Sequence, residues 1–136
     1  MQRRIEPIIE CLGRCLVVAH AAGHCGEAAA REYLIELERE PNHRADLVKL
    51  MRLFSRLAET GSISNREHFR KVEGNIFEFK AFQRRVLGFF GNLPDGRRSF
   101  LLTNGCTKKR DDLPPEVIDR ARRVMREWLE ILESQR

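Results

Sequence analysis

The residues with the most chemical potential in this chain are cations. Lys80 sits in the run Ile76-Phe77-Glu78-Phe79-Lys80, and Arg84 and Arg85 open the next apolar run. Lys108, Lys109 and Arg110 follow Asn104-Gly105-Cys106-Thr107. A basic cluster at a strand end, beside two strands with central cations, builds a concave positive surface. Such a surface holds a phosphodiester and stabilises negative charge that develops on it. Conventional acid/base equipment is sparse. His68 is the nearest histidine, and Tyr33, the single tyrosine, is remote in sequence. There is no Ser-His-Asp order, phosphate-binding loop or dinucleotide fingerprint.

Residues 66–110 hold eleven Lys and Arg against four Asp and Glu, although the net charge of the whole chain is only +5. The excess is therefore local to the central third. A concentrated basic region is the footprint of a polyanion partner, most often nucleic acid. The same charges also suit a solvated basic sheet face.

These cations need elements to position them. Residues 14–19 read as a short buried strand around Leu16, Val17 and Val18. Residues 27–40 read as a helix that Pro41 terminates, and residues 44–60 as a second helix. In the latter Leu47, Leu50, Met51, Phe54, Leu57 and Ala58 form one stripe, and Gly61 caps the end. The two make a helical hairpin. Seven of the eight Phe lie between Phe69 and Phe100, and aromatic enrichment favours strands. Residues 76–82, 84–90 and 97–104 form an antiparallel meander, with a Gly-Asn-Leu-Pro-Asp-Gly turn at 91–96. Within 76–82, Phe77, Phe79 and Ala81 oppose Ile76, Glu78, Lys80 and Phe82. Residues 114–134 form a last amphipathic helix, with Glu116–Arg120, Asp119–Arg123 and Arg126–Glu130 at i,i+4 on its exposed side. The expected fold is α+β: a small antiparallel sheet of about four strands, an N-terminal helical hairpin and a C-terminal helix. Residues 1–13, with Ile5, Ile8, Ile9 and Leu12 at helical spacing, read as a short helix or a poorly ordered extension.

A chain of 136 residues with 42% hydrophobic and 33% charged residues is of single-domain size and globular composition. No apolar stretch reaches the roughly 18 residues that span a bilayer. Glu6 and Pro7 interrupt any signal peptide, so a soluble cytoplasmic protein with no membrane partner is expected. Cys11, Cys15, His20, His24 and Cys25 lie close together, but their spacing matches no common zinc pattern. The cysteines read as small buried thiols, and neither metal nor cofactor is expected.

Four runs, in this order, resemble the RelE/HigB toxin superfamily and most closely its phage-derived branch. They are Gly74-Asn75-Ile76-Phe77-Glu78-Phe79-Lys80, Arg84-Arg85-Val86-Leu87-Gly88-Phe89-Phe90, Leu101 through Lys109, and Leu113-Pro114-Pro115-Glu116-Val117-Ile118 with Ala121. The resemblance covers about residues 60–125. It implies a RelE/ParE-like fold over residues 14–136, with residues 1–13 as an extension of unknown role. It also implies the toxin of a type II toxin–antitoxin pair, an endoribonuclease that cuts mRNA on the translating ribosome. In that family the 2′-hydroxyl attacks the adjacent phosphate and the 5′-oxygen leaves, without a metal. Carried over by motif, Arg85 and Lys109 become the phosphate stabilisers, with Lys108 and Lys80 beside them. Lys71, Arg84, Arg98, Arg110 and Asn104 are the further residues expected to contact RNA. The implied partners are mRNA, the ribosome and a cognate antitoxin, commonly a helix-turn-helix protein.

The sequence departs from the family where acid/base groups are expected. Glu78 stands where the best-known members have a lysine, and the C-terminal segment offers only Trp128 as an aromatic. Glu78 reads either as a general base partnered by Lys80 or Lys108, or as half of a structural ion pair. His68 is a further candidate, and Cys106 reads as a small core residue. Two other readings remain open: a ParE-like inhibitor of DNA gyrase, and an RNA-binding module without catalysis.

Overall fold

The computed structural model describes residues 7–108 and 112–135. In chain order they form β1 (Ile8–Leu12), β2 (Val17–His20), α1 (Ala29–Arg39), α2 (Arg44–Thr60), β3 (Phe69–Glu73), β4 (Ile76–Ala81), β5 (Arg84–Asn92), β6 (Arg98–Thr107) and α3 (Pro115–Ser134). A single turn of 3-10 helix, Pro41–His43, joins α1 to α2. Gly61 closes α2 at φ 79°, a left-handed conformation that costs glycine nothing.

The strands make one sheet in the order β1-β2-β6-β5-β4-β3. The expected architecture needs correction here. The sheet has six strands among the described residues, not about four. It is mixed rather than antiparallel, because β2 runs parallel to β6 with Val18 opposite Phe100. The helical pair is not N-terminal, since two strands precede it. Parallel pairing of β2 with β6 requires a crossover, which α1, α2 and the β3–β5 meander supply together.

Two strands escaped the sequence reading. β1 occupies residues read as a helix or an extension and pairs antiparallel with β2, Ile8 opposite His20 and Leu12 opposite Val17. All of β2 is buried, so its backbone needs partners on both sides, and that need outweighs the helical spacing of the isoleucines. β3 buries only Phe69 and otherwise carries polar or half-buried side chains, as suits an edge strand. β6 extends to Thr107, so the Asn104–Thr107 segment lies inside the sheet and not beyond it.

Helices cover both faces. On one face α1 and α2 pack Leu34, Leu37, Leu50, Phe54 and Leu57 against Val18, Phe79, Val86, Phe100 and Leu102. On the other, α3 packs Ala121, Val124 and Trp128 against Ala19, Ile76, Leu87, Phe89 and Leu101. Alternation along the strands sorts residues to these two cores. On α3, Arg126 pairs with Glu130 as its spacing predicts, while Arg123 turns to Glu127 and Arg122 to Asp119 and Glu73. The cysteines depart from their reading: Cys15 and Cys25 are exposed, and Cys11 and Cys106 half-buried. No described helix is long and apolar enough to cross a membrane.

Candidate functional site

Cross-strand register assembles the site. Arg70 on β3 faces Glu78 on β4, Lys80 faces Arg85 on β5, and Arg85 faces Cys106 on β6. Directly paired residues share a face. Arg70, Glu78, Lys80, Arg85 and Cys106 therefore line the α3 side of the sheet, beyond the apolar patch that α3 covers. Asn104 marks the border. It is buried, and its Nδ2 donates to the Val117 carbonyl at 3.1 Å, tying β6 to the first turn of α3.

Glu78 is the hub and is fully buried. Its Oε1 accepts a hydrogen bond from Arg70 Nε at 2.7 Å, and its Oε2 lies 4.0 Å from Arg85 Nε. Arg85 is itself only 4% exposed. Its Nη1 donates to the Phe82 carbonyl at 2.6 Å and to the Arg84 carbonyl at 3.1 Å. The guanidinium is thus fixed by backbone carbonyls, while its Nε and Glu78 Oε2 face each other as a buried ion pair without a hydrogen bond. Lys108 completes the group: its Nζ is buried and has no hydrogen-bond partner among the described residues. Burial pushes the Lys108 ammonium below the ordinary lysine value, and the positive Arg85 pushes it further, against a partial offset from Glu78. Burial raises the Cys106 thiol, which keeps it protonated and a poor nucleophile. One carboxylate therefore serves Arg70, Arg85 and Lys108, with Lys80 on the same face, which leaves net positive charge in a partly desolvated recess. An anion there would be electrostatically favoured, and charge developing on it would be stabilised.

The geometry sorts the candidates read from sequence. Arg85, Lys108, Lys80 and Glu78 come together; Lys109 and Arg110 lie outside the described residues. Arg84 alternates to the opposite face, where its Nε reaches Asp46 at 3.2 Å and its Nη1 reaches Thr107 Oγ1 at 2.6 Å. It fastens α2 to the sheet. Lys71 also lies on the α1–α2 side, lining an open cleft with Phe77 and Phe90. Arg98 begins β6, ten residues before Lys108, about 30 Å away at strand rise. Trp128 is buried with its Nε1 on the Asn92 carbonyl, so it belongs to the core. His68 stands just before β3, its carbonyl accepting the Lys80 N–H at 2.8 Å.

Two residues were missed. Arg70 was counted only as charge, because no strand was read around it; the period-two pattern Phe69, Lys71 with Arg70, Val72 was the available signal. Tyr33, remote in sequence, hydrogen-bonds the Cys106 carbonyl at 3.0 Å and Thr107 Oγ1 at 2.8 Å. It clamps the end of β6 that leads into Lys108. No three His, Cys, Asp or Glu side chains converge as a metal site among the described residues. His20 instead pairs with Glu10, and His24 with Glu127 and Glu130.

The family described as phage-derived protein Gp49-like (DUF891) matches residues 36–126, from the end of α1 into α3. The chain belongs to the Gp49-like family. That match spans two thirds of the chain and takes in β3 to β6, and so the whole basic recess; β1 and β2 lie outside it. The Gp49-like family is part of the RelE/HigB-like toxin superfamily. No curated protein matches the chain.

Proposed function

We propose that this Gp49-like chain is the toxin of a type II toxin–antitoxin pair, a HigB-like mRNA interferase that cuts mRNA on the translating ribosome. The observation that carries this reading is Lys108. A buried ammonium without a hydrogen-bond partner among the described residues stands beside two arginines that share one buried carboxylate. A basic sheet face that served only for solubility would not bury its amine.

In the proposed reaction the RNA 2′-oxygen attacks the adjacent phosphorus and the P–O5′ bond breaks. The 2′-hydroxyl gives up its proton and the departing 5′-oxygen gains one, leaving a 2′,3′-cyclic phosphate and a 5′-hydroxyl. Arg85, with Lys80 and Lys109, holds the phosphate and the charge that gathers on its oxygens. Lys108 transfers the proton, because burial and Arg85 lower the cost of its neutral form. Glu78 is a positioning residue, because both of its oxygens face arginines, Oε1 Arg70 and Oε2 Arg85. The partner is a cognate antitoxin that masks the basic recess, and the setting is the cytoplasm. In this reading Arg84 and Asn104 serve the fold through their hydrogen bonds, and Lys71 and Arg98 stand apart from Arg85 and Lys108.

The test is mRNA cleavage in a reconstituted translation system, mapped by primer extension with and without ribosomes. Wild type is run beside Arg85→Ala/Lys109→Ala and Lys108→Arg, whose guanidinium keeps charge but does not exchange a proton. Ribosome-dependent cuts in wild type alone are the expected result. Uncut mRNA in every lane overturns the reading. A gyrase supercoiling assay and an RNA-binding assay then separate gyrase inhibition from binding without scission.

A further inference from the structure

Phe82 has no role in either core. It is 72% exposed, more than any other large apolar side chain among the described residues. Of the seven other phenylalanines, Phe89 is buried and six, Phe54, Phe69, Phe77, Phe79, Phe90 and Phe100, pack in a ring network in which Phe82 has no contact. It is also the one non-glycine residue with positive φ, 55°, among the described residues. At the four other positive-φ positions the chain uses glycine: Gly26, Gly61, Gly74 and Gly96. A bulky side chain in this conformation is strained, and strain of that kind concentrates at functional sites.

The turn that carries it is not loose. Arg85 Nη1 holds the Phe82 carbonyl at 2.6 Å, and the Lys108 N–H holds the Gln83 carbonyl at 2.9 Å. The two residues assigned to the phosphate and the proton therefore also hold the backbone of the turn that carries the exposed ring. We propose that Phe82 is a stacking platform for an unpaired base of the RNA, next to the phosphate held by Arg85 and Lys80. This rests on the reading of the recess as an RNA site. Single-stranded nucleic acid is held by this combination, cations on the backbone and an aromatic ring on a base. The surroundings favour RNA over an apolar protein surface: Lys80, Arg85 and Lys108 flank the turn, and the nearby carboxylate, Glu78, is buried and paired.

The test is binding of a short, uncleavable single-stranded 2′-O-methyl RNA, with an abasic oligomer of equal length as control. Phe82→Trp supplies the probe, since the native Trp128 is fully buried. The RNA is expected to quench the emission of Phe82→Trp saturably, and the abasic oligomer to leave it unchanged. Phe82→Ala is expected to lose about tenfold in RNA affinity, the loss of one stacked base. Phe82→Asn, which tolerates positive φ, is expected to show the same loss in a fold that is no less stable. Affinity within twofold of wild type in both variants overturns the stacking role alone and leaves the ring to a protein partner. Equal binding of the abasic oligomer also overturns it alone. No RNA binding by wild type overturns this inference together with the RNA reading of the recess.

Discussion

Glu78→Gln tests whether the carboxylate organises the recess. Its Oε1 accepts from Arg70 Nε at 2.7 Å, and its Oε2 stands 4.0 Å from Arg85 Nε. At that separation, with an effective dielectric of about 20, the Arg85 attraction alone is on the order of 4 kcal/mol before desolvation is counted. Removing one partner of a buried pair typically costs about 3–5 kcal/mol. Two features bring the figure down. The Arg70 side chain is one-third exposed, so water screens its share. Glutamine still accepts one hydrogen bond from Arg70. The remaining cost, about 3 kcal/mol, comes from leaving the Arg85 side chain, only 5% exposed, with no opposing charge. With a urea slope of about 2 kcal/mol per molar, the unfolding midpoint should fall by about 1.5 M at constant slope. The double variant Glu78→Leu/Arg85→Met, which removes both charges, should lose less than the sum of its single changes. A midpoint shift below about 0.3 M in Glu78→Gln would refute the hub role and return Glu78 to the list of general bases.

Lys108 has a pH signature. Burial and Arg85 hold its ammonium below the ordinary value of 10.5 in the folded chain. Between the lowered value and 10.5 the unfolded chain binds more protons, so stability rises with pH across that window. Below it the buried charge is fully destabilising. Lys108→Met should thus be more stable than wild type at neutral pH in urea titrations, with the gain shrinking as pH approaches 10.5; a gain constant with pH would contradict the assignment. Gly88→Ala should destabilise by about 3 kcal/mol. The added Cβ would meet the Phe100 ring and sit 2.5 Å from the Leu101 carbonyl oxygen, backbone of the neighbouring strand. A thermal scan should show a midpoint about 10 °C lower, and an unchanged midpoint would mean that β5 and β6 separate readily there.

Much of the local structure was legible in the residues. The stripe from Leu47 to Ala58 with Gly61 behind it, and the apolar face of residues 114–134, were enough to specify α2 and α3, because helix periodicity and capping are properties of a dozen adjacent residues. The alternation in 76–82 likewise put Glu78 and Lys80 on one face. The basic excess of residues 66–110 pointed to a polyanion, and the four runs from Gly74 to Ala121 pointed to the toxin superfamily. What only the tertiary structure decided is non-local. Ile8–Leu12 and Phe69–Glu73 are strands because they complete the edges of a sheet whose centre needs partners. β2 runs parallel to β6, some eighty residues away, and no pattern within either strand encodes that pairing. Which cations converge followed from the same cause. Arg84 and Arg85 are adjacent and equally charged, but α1 and α2 cover one face and α3 only part of the other. Arg84 therefore pairs with Asp46 on the α2 side, while Arg85, no less buried, meets Glu78 and Lys108 on the other. Side-chain type and spacing determined what each cation can do, and strand register together with the placement of the helices determined which of them can do it together.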